Sequence, residues 1–390
     1  MGLMGEYISR KLSAADLEAE LMRLISEYNK LRQTFAAVYV AAIGKPIPDV
    51  ILNQDDYYLI HDLLRDVDSH KIDIYLETPG GSAEAAEEIV RCLRDRFDQV
   101  SYIVSGEAKS AGTIMVLSGD EILMTETGSL GPIDAQVRIG RSFVSAYDYL
   151  EWTDQKREEA KKAGKLNPFD ATMIAQISPG ELSGVFHALK YAEDLVTDWL
   201  VKYKFKTWTT TDTRHLPVTN EMKTKRAQEI AAELTNHAKW RSHGRSIKAT
   251  DLHGIGLKVI RVENDPKLND IVNRIQTVCR LLFSSTNTYK IFATEKEKVF
   301  KNATPVSVVP KIPMQAADVV NFEAKCPKCG KVHKLYAKFK DDPKIDDDFK
   351  KKGNIAYPKD NKLKCECGFE MDLGGIRNNI ETKIGKKLIV

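Results

Sequence analysis

The stretch 71–134 constrains the fold most strongly, because strand and helix patterns alternate along it. The apolar run IDIYLE (72–77) ends in Thr-Pro-Gly-Gly, and a helix with one apolar stripe follows from its N-cap, Ser82. The runs SYIVS and EILMT then flank a short, almost entirely apolar helix that begins at Ser110. Strands that alternate with helices indicate right-handed βαβ units and a mostly parallel sheet. The predicted fold class is therefore α/β.

Length and composition leave room for more than this one sheet. The chain has 390 residues and 43% hydrophobic content, which suffices for one sizeable core and a small appendage. An amphipathic helix is predicted over 14–33, and long amphipathic helices recur after residue 180. We predict four regions: an N-terminal helix (1–34), an α/β domain (35–300), a linker (301–320) and a small C-terminal module (321–390).

Charge and hydropathy exclude several classes of partner. The formal net charge is only +3, so no strong field indicates nucleic acid. No run of about 18 apolar residues is present, so we expect no membrane span. The first residues contain acids and no apolar core, so we expect no signal peptide.

The glycine pair and the serine are the parts of this stretch that carry chemistry. A strand that ends in Gly80 and Gly81 leaves backbone N–H groups facing open space, and glycine lets a substrate approach them closely. Ser110 falls at a strand-to-helix turn, where a helix N-terminus presents further N–H groups. Together they can present a nucleophile to an oxyanion hole. The alternative is an ordinary βα turn and an ordinary N-cap serine.

Four motifs carry a family resemblance: TPGGS (78–82), GEAKSAGTIMVLSGDEILM (106–124), GSLGPID (128–134) and KATDLHGIGLKV (248–259). They resemble the Clp protease/crotonase superfamily. More narrowly, they are similar to the serine dehydrogenase proteinase family and to signal peptide peptidase A type serine proteases. The resemblance implies a ββα-superhelix core, a serine-type endopeptidase acting on peptides or unfolded chains, and a homo-oligomer.

The resemblance also implies roles for individual residues. Ser110 matches the nucleophile, and Gly81 and Ala111 match the residues whose backbone N–H groups form the oxyanion hole. In Clp peptidases a histidine base follows the next strand, but here that segment, 131–134, reads Gly-Pro-Ile-Asp. This departure argues against a Clp-type triad.

A lysine base is therefore predicted, as in peptidase A type enzymes. Lys190 stands at the matching place, at the start of a long helical pattern. A lysine base must be neutral, so burial beside Ser110 should lower its pKa. Two alternatives stay open: a solvated Lys190, and Lys109 as the base, although the side chain of Lys109 should point away from that of Ser110.

The cysteines fall into two groups. Cys92 and Cys279 lie in apolar helical patterns and are interpreted as buried thiols. The other four occur as CPKCG and CECG, which resemble the two knuckles of a zinc ribbon. This spacing predicts a structural zinc ion and favours a reducing, cytoplasmic setting over disulfides. The predicted ligands are Cys326, Cys329, Cys365 and Cys367.

Three functions are compatible with the sequence alone. The leading hypothesis is a cytoplasmic serine peptidase with a Ser–Lys dyad. The first rival is a crotonase-type acyl-CoA enzyme, which uses the same oxyanion hole. The second is a non-catalytic oligomeric scaffold that recruits a partner protein through its zinc module. The helices at 14–33 and 184–204 carry large apolar residues, including Trp199 and Tyr203, that favour an interface between copies. The alternative is that both helices pack on their own core.

Overall fold

The structure is a computed structural model that describes residues 2–139, 142–211, 213–242, 244–303, 318–384 and 386–389. It divides into two compact units, Met1–Thr304 and Pro305–Val390. The predicted linker began at residue 301, but Lys301 and Asn302 belong to a strand of the first unit. Most of that linker, residues 304–317, lies outside the described residues.

The helices of the first unit are α1 (Leu3–Ser9), α2 (Ala14–Arg32), α3 (Gln54–Leu63), α4 (Ala83–Arg96), α5 (Ala111–Leu117), α6 (Ala146–Ala163), α7 (Pro168–Ile174), α8 (Pro179–Trp199), α9 (Asn220–Thr235), α10 (His237–Trp240), α11 (Ala249–Gly254) and α12 (Pro266–Ser285). Its strands are β1 (Phe35–Ala41), β2 (Lys71–Glu77), β3 (Gln99–Val104), β4 (Glu107–Ala108), β5 (Glu121–Met124), β6 (Ser129–Leu130), β7 (Gln136–Ile139), β8 (Ser142–Ser145), β9 (Ile260–Arg261), β10 (Thr288–Ala293) and β11 (Lys298–Asn302). A π-helix, Leu200–Lys204, continues α8.

A sheet in the order β11-β10-β1-β2-β3-β5-β9 forms the centre of this unit. Neighbouring strands from β1 to β9 are parallel, and β10 and β11 complete one edge in antiparallel fashion. Alternate residues of β1 enter two separate cores: Tyr39 lies on the face covered by α4 and α5, and Val38 and Val40 lie on the face covered by α2 and α12. The predicted α/β class with a mostly parallel sheet is confirmed.

Several large apolar residues of α2 and of the helix that ends in Trp199 are covered within the unit itself. Leu21, Leu24 and Ile25 of α2 are fully buried, and α2 packs against α12. Trp199 is also buried, and the Tyr203 ring lies 3.8 Å from the Arg94 guanidinium. These buried residues are not available for an interface between copies, whereas Phe186 of α8 is 56% exposed and Leu31 of α2 is 37% exposed.

The second unit is small and built from hairpins. It contains β12 (Val319–Lys325), β13 (Val332–Lys338), β14 (Ile355–Ala356), β15 (Lys362–Lys364), β16 (Glu370–Asp372), α13 (Pro343–Lys351) and α14 (Gly374–Ile384). Strands β12 and β13 form one hairpin, and β15 and β16 form another. Their shared core includes the side chains of Cys326 and Cys365.

Candidate active site and metal cluster

The chain leaves β2 beside the segment that leads into α5. Thr78, the first residue after β2, donates its N–H to the carbonyl of Glu107 at 2.8 Å and accepts from the N–H of Lys109 at 3.0 Å. Strand β4 pairs in turn with β6. The parallel bridge between Thr78 and Ala108 places the Gly80–Gly81 loop directly alongside Ser110, because both loops continue from this bridge.

Gly80 and Ser110 are in close contact. Gly80 has a φ of +93°, and a Cβ placed on it would lie 2.6 Å from the carbonyl oxygen of Lys109 and 2.7 Å from Cβ of Ser110. It would also lie 3.3 Å from the backbone nitrogen of Ala111. A side chain at this position would overlap the nucleophile segment, so the approach of the two loops requires glycine. The structure brings the predicted glycine pair and the predicted nucleophile together.

Leu52 holds the other side of the glycine pair. Its N–H donates to the carbonyl of Gly80 at 2.8 Å, and its carbonyl accepts from the N–H of Ser82 at 2.9 Å. This parallel bridge turns the N–H of Gly81 away from Leu52. Within the described residues, neither the N–H of Gly81 nor that of Ala111 donates a hydrogen bond. Both predicted oxyanion donors thus keep an unused N–H.

Ser110 has a conformation that an ordinary N-cap serine does not adopt. Its φ is +49° and its ψ is −116°, which costs free energy in a residue with a Cβ. Its hydroxyl accepts no hydrogen bond from the first turn of α5, and none of the described residues bonds to it. By contrast, Ser82 caps α4 normally, accepting from the N–H of Ala85 at 3.0 Å. The half-buried Ser110 hydroxyl is therefore left for another role.

Lys190 lies in an environment that keeps its side chain charged, whereas a lysine base must be neutral. Its side chain on α8 is 54% exposed, and its Nζ pairs with Asp194 at 3.0 Å and with Glu193 at 3.7 Å. The hydrogen bond and charge of Asp194 raise the pKa of Lys190. The buried stripe of α8 instead follows Val185, Ala192, Val196 and Trp199. Lys190 is a charged surface lysine, because it lies off that stripe.

Lys109 is buried, and its Nζ is bonded to residues other than Ser110. Burial lowers its pKa, and the side chain is 5% exposed. Its Nζ donates to four oxygen atoms at 3.0–3.4 Å: the carbonyls of Leu130 and Arg245 and the hydroxyls of Ser129 and Ser246. Lys109 therefore connects the segment next to Ser110 with β6 and with residues 245–246. No local pattern predicted this role, because the partners lie 20 or more residues away along the chain.

The segment 131–134, where a Clp-type histidine was sought, is buried against α5. The hydroxyl of Thr113 donates to the carbonyl of Gly131 at 3.0 Å and accepts from its N–H at 3.0 Å. Asp134 is 3% exposed and accepts a hydrogen bond from the hydroxyl of Ser145 at 2.8 Å. This segment therefore packs against α5, the helix that begins after Ser110.

The four C-terminal cysteines converge on one point. Their sulfur atoms all lie within 4.8 Å of one another, and two pairs, Cys326–Cys367 and Cys329–Cys365, are 3.6 Å apart. Tetrahedral thiolates at about 2.3 Å from a zinc ion are separated by about 3.8 Å. Each knuckle closes on a glycine with positive φ, Gly330 or Gly368, as predicted. The four cysteines can hold a metal ion, and their donor set suits zinc.

Sequence comparison supports the family resemblance over the part of the chain that carries the site. The sequence model of the ClpP-like SDH-type serine proteinase family matches residues 20–166. This range contains Gly81, Ser110 and Ala111. The predicted resemblance to this family is confirmed over residues 20–166.

Two relatives are uncharacterized proteins of Methanocaldococcus jannaschii. MJ1495 is 30% identical over 95 residues, which is 24% of this chain and 32% of that protein. MJ0137 is 31% identical over 98 residues, which is 25% of this chain and 34% of that protein. The chain thus spans about a third of the length of these curated relatives.

Two solved structures show distant similarity. A mutant of the 1510-N membrane-bound stomatin-specific protease is 14% identical, with a TM-score of 0.34 over 57% of this chain and 79% of that one. ClpP1 from Listeria monocytogenes is 12% identical, with a TM-score of 0.33 over 62% of this chain and 98% of that one. Separately, no helix among the described residues is long and apolar enough to cross a membrane.

Proposed function

We propose that this protein is a serine peptidase in which Ser110 is the nucleophile and the N–H groups of Gly81 and Ala111 form the oxyanion hole. One observation carries the proposal. The Gly80–Gly81 loop lies against Ser110 and Ala111, and both predicted donors keep an unused N–H. The match to the ClpP-like SDH-type serine proteinase family over residues 20–166 supports it.

The proposed chemistry follows from this arrangement. The hydroxyl oxygen of Ser110 attacks the carbonyl carbon of the scissile peptide bond while a base takes the hydroxyl proton. The carbonyl oxygen becomes an oxyanion, and the N–H groups of Gly81 and Ala111 donate hydrogen bonds to it. Collapse of this intermediate breaks the C–N bond, and the amine leaves with a proton. Water then hydrolyses the acyl-serine ester and regenerates Ser110.

Two lysines, Lys190 and Lys109, were candidates for the base that activates Ser110. A Ser–Lys dyad needs an uncharged amine, and Lys190 has a raised pKa and two carboxylate partners. Lys109 has a lowered pKa, but its Nζ already donates to four oxygen atoms. We therefore propose the nucleophile and the oxyanion donors and withdraw Lys190 as the base.

A fluorophosphonate probe tests the nucleophile directly. The probe should label wild-type protein at Ser110, and Ser110→Ala should abolish labelling. Ser82→Ala is a matched control, because Ser82 adjoins the same glycine pair but caps α4. Ser82→Ala should keep the label. An acyl-CoA enzyme would bind and turn over acyl-CoA without being labelled. A protein in which Ser110→Ala changes no measured property would be the scaffold instead.

We also propose that the four-cysteine cluster binds a structural zinc ion, supported by the spacing of the sulfur atoms. Paired thiolates of this kind favour a reducing, cytoplasmic compartment. The substrate would be a peptide or an unfolded protein, and the zinc unit offers a surface for a partner protein. A homo-oligomer stays a prediction of the family resemblance. Light scattering of the full chain should give a mass above that of one chain.

A further inference from the structure

One lysine of the central sheet is completely buried. Lys290 lies on β10 opposite Ala41 of β1 and is 0% exposed. Its Nζ donates to both carboxylate oxygens of Asp56, at 2.9 and 2.6 Å, and to the carbonyl of Ile51, at 2.8 Å. An ammonium group has three protons, so each has one acceptor. Burial lowers the pKa of Lys290, and the charge of Asp56 opposes that effect.

Asp56 is also 0% exposed, and both of its carboxylate oxygens accept hydrogen bonds. It accepts from the hydroxyl of Tyr39 at 2.9 Å and from the N–H of Asn53 at 3.0 Å. The latter bond belongs to the capping box at the start of α3. Lys290 and Asp56 therefore fix both ends of a short segment: Ile51 through its carbonyl, and Asn53 through its N–H.

The residue between these two anchors is Leu52, which forms the backbone bridge to the glycine pair. Leu52 bonds to the carbonyl of Gly80 and to the N–H of Ser82, and these bonds orient the N–H of Gly81. Leu52 is fully buried, and its carbonyl oxygen is the atom nearest to a Cβ placed on Gly81. The hydrogen bonds that connect Lys290 with the glycine pair therefore involve Ile51 and Leu52.

We infer that Lys290 is a positioning residue for the oxyanion hole: through the Ile51 carbonyl and Asp56 it holds Leu52, and Leu52 aims the N–H of Gly81. This inference rests on the proposed function, since it assigns Gly81 its role. A buried ion pair is a poor source of stability, because an apolar pair of similar volume often serves as well. What an apolar pair cannot do is donate to the carbonyl of Ile51.

The test separates positioning from stability. Lys290→Met alone leaves the buried Asp56 charge without its hydrogen-bonded cation, with only Lys301 at 3.8 Å, and should destabilise the fold. Asp56→Asn/Lys290→Met removes both charges, so it should recover most of the thermal stability. Lys45→Met is a matched control: the Nζ of Lys45 also donates to two carbonyls near β10, those of Thr286 and Thr288, and among the described residues it makes no hydrogen bond to Leu52.

Two readouts are measured on the full chain: the rate of fluorophosphonate labelling, and hydrogen exchange at the N–H groups of Leu52 and Ser82. In the double variant, we expect labelling to slow by about 10- to 100-fold and exchange at both N–H groups to accelerate. Lys45→Met should change neither. A double variant with wild-type thermal stability, wild-type labelling and wild-type exchange would overturn the inference.

Wild-type protein supplies a test that needs no folded variant. In low denaturant, the N–H groups of Leu52 and Ser82 should exchange in the same opening step as β10. Their exchange while β10 stays protected would contradict the inference. The exchange results do not depend on activity. If the probe fails to label wild-type protein, the proposed function fails, whereas the link from Lys290 to Leu52 is still judged by exchange.

Discussion

Replacing Gly81 by alanine is the sharpest test of the proposed oxyanion hole. The added Cβ would lie 2.2 Å from the carbonyl oxygen of Leu52 and 2.6 Å from its nitrogen, far inside the 3.4 Å at which ordinary contact begins. These are backbone atoms, so no side chain can rotate away. The two segments must separate by roughly 1 Å, and a shift of that size can reduce a rate about 100-fold.

The expected loss of activity follows from the loss of one oxyanion-hole donor. Loss of one oxyanion-hole donor typically reduces kcat by about 10²- to 10³-fold, or about 2.7–4 kcal/mol in activation free energy. We therefore expect Gly81→Ala to fold and to lower kcat/KM for a peptide substrate by that factor. The rate of labelling by the fluorophosphonate probe should fall in parallel, because the probe also places an oxygen in the hole.

Gly164→Ala is the matched control for backbone strain. Gly164 ends α6 with a φ of +70°, and a Cβ placed there meets nothing within 4 Å. This variant should lose about 1–2 kcal/mol of stability through its left-handed backbone and keep wild-type kinetics. A folded Gly81→Ala that retains kcat/KM within about threefold of wild type would refute the assignment of Gly81.

Three further predictions concern other parts of the chain. Lys190→Ala should retain near-wild-type hydrolysis, because it removes only an exposed ion pair; a collapse of kcat would restore Lys190 as the base. Zinc should co-purify at about one ion per chain, and Cys329→Ser should weaken its retention, as measured by metal analysis under reducing conditions. Burial raises the pKa of Glu77 from 4.5 to about 7 despite its ion pair with Arg280, so the folded state holds that proton more tightly than the unfolded state. The free energy of unfolding should therefore decrease as pH rises from about 4.5 to 7, and Glu77→Gln should flatten that decrease in denaturant titrations.

The parts of the site that lie in local motifs could be predicted from the sequence. Gly81, Ser110 and Ala111 follow adjacent parallel strands, so strand order alone brings them to one edge of the sheet. The cysteine knuckles are similarly local, because each turn is closed by its own glycine. The α/β class followed from the alternation of strand and helix patterns.

Two features could not be predicted from the sequence: which face of α8 carries Lys190, and the pairing of residues that are distant along the chain. Lys190 was assigned by its place along the chain, but position along a helix does not decide which face is buried. Glu193 and Asp194, three and four residues later, were the available signal that Lys190 is paired on the surface. The pairing of Lys290 with Asp56 spans 234 residues and had no local signal beyond a lysine inside an apolar strand.

The backbone of Ser110 implies a conflict between stability and function within one residue. A φ of +49° suits glycine, yet catalysis as proposed requires the serine hydroxyl. Ser110→Gly should therefore melt at a higher temperature than Ser110→Ala, although both lack the hydroxyl, because only glycine relieves the strain. The protein would be held below its attainable stability by its own nucleophile, and selection for thermal tolerance alone would tend to remove that residue.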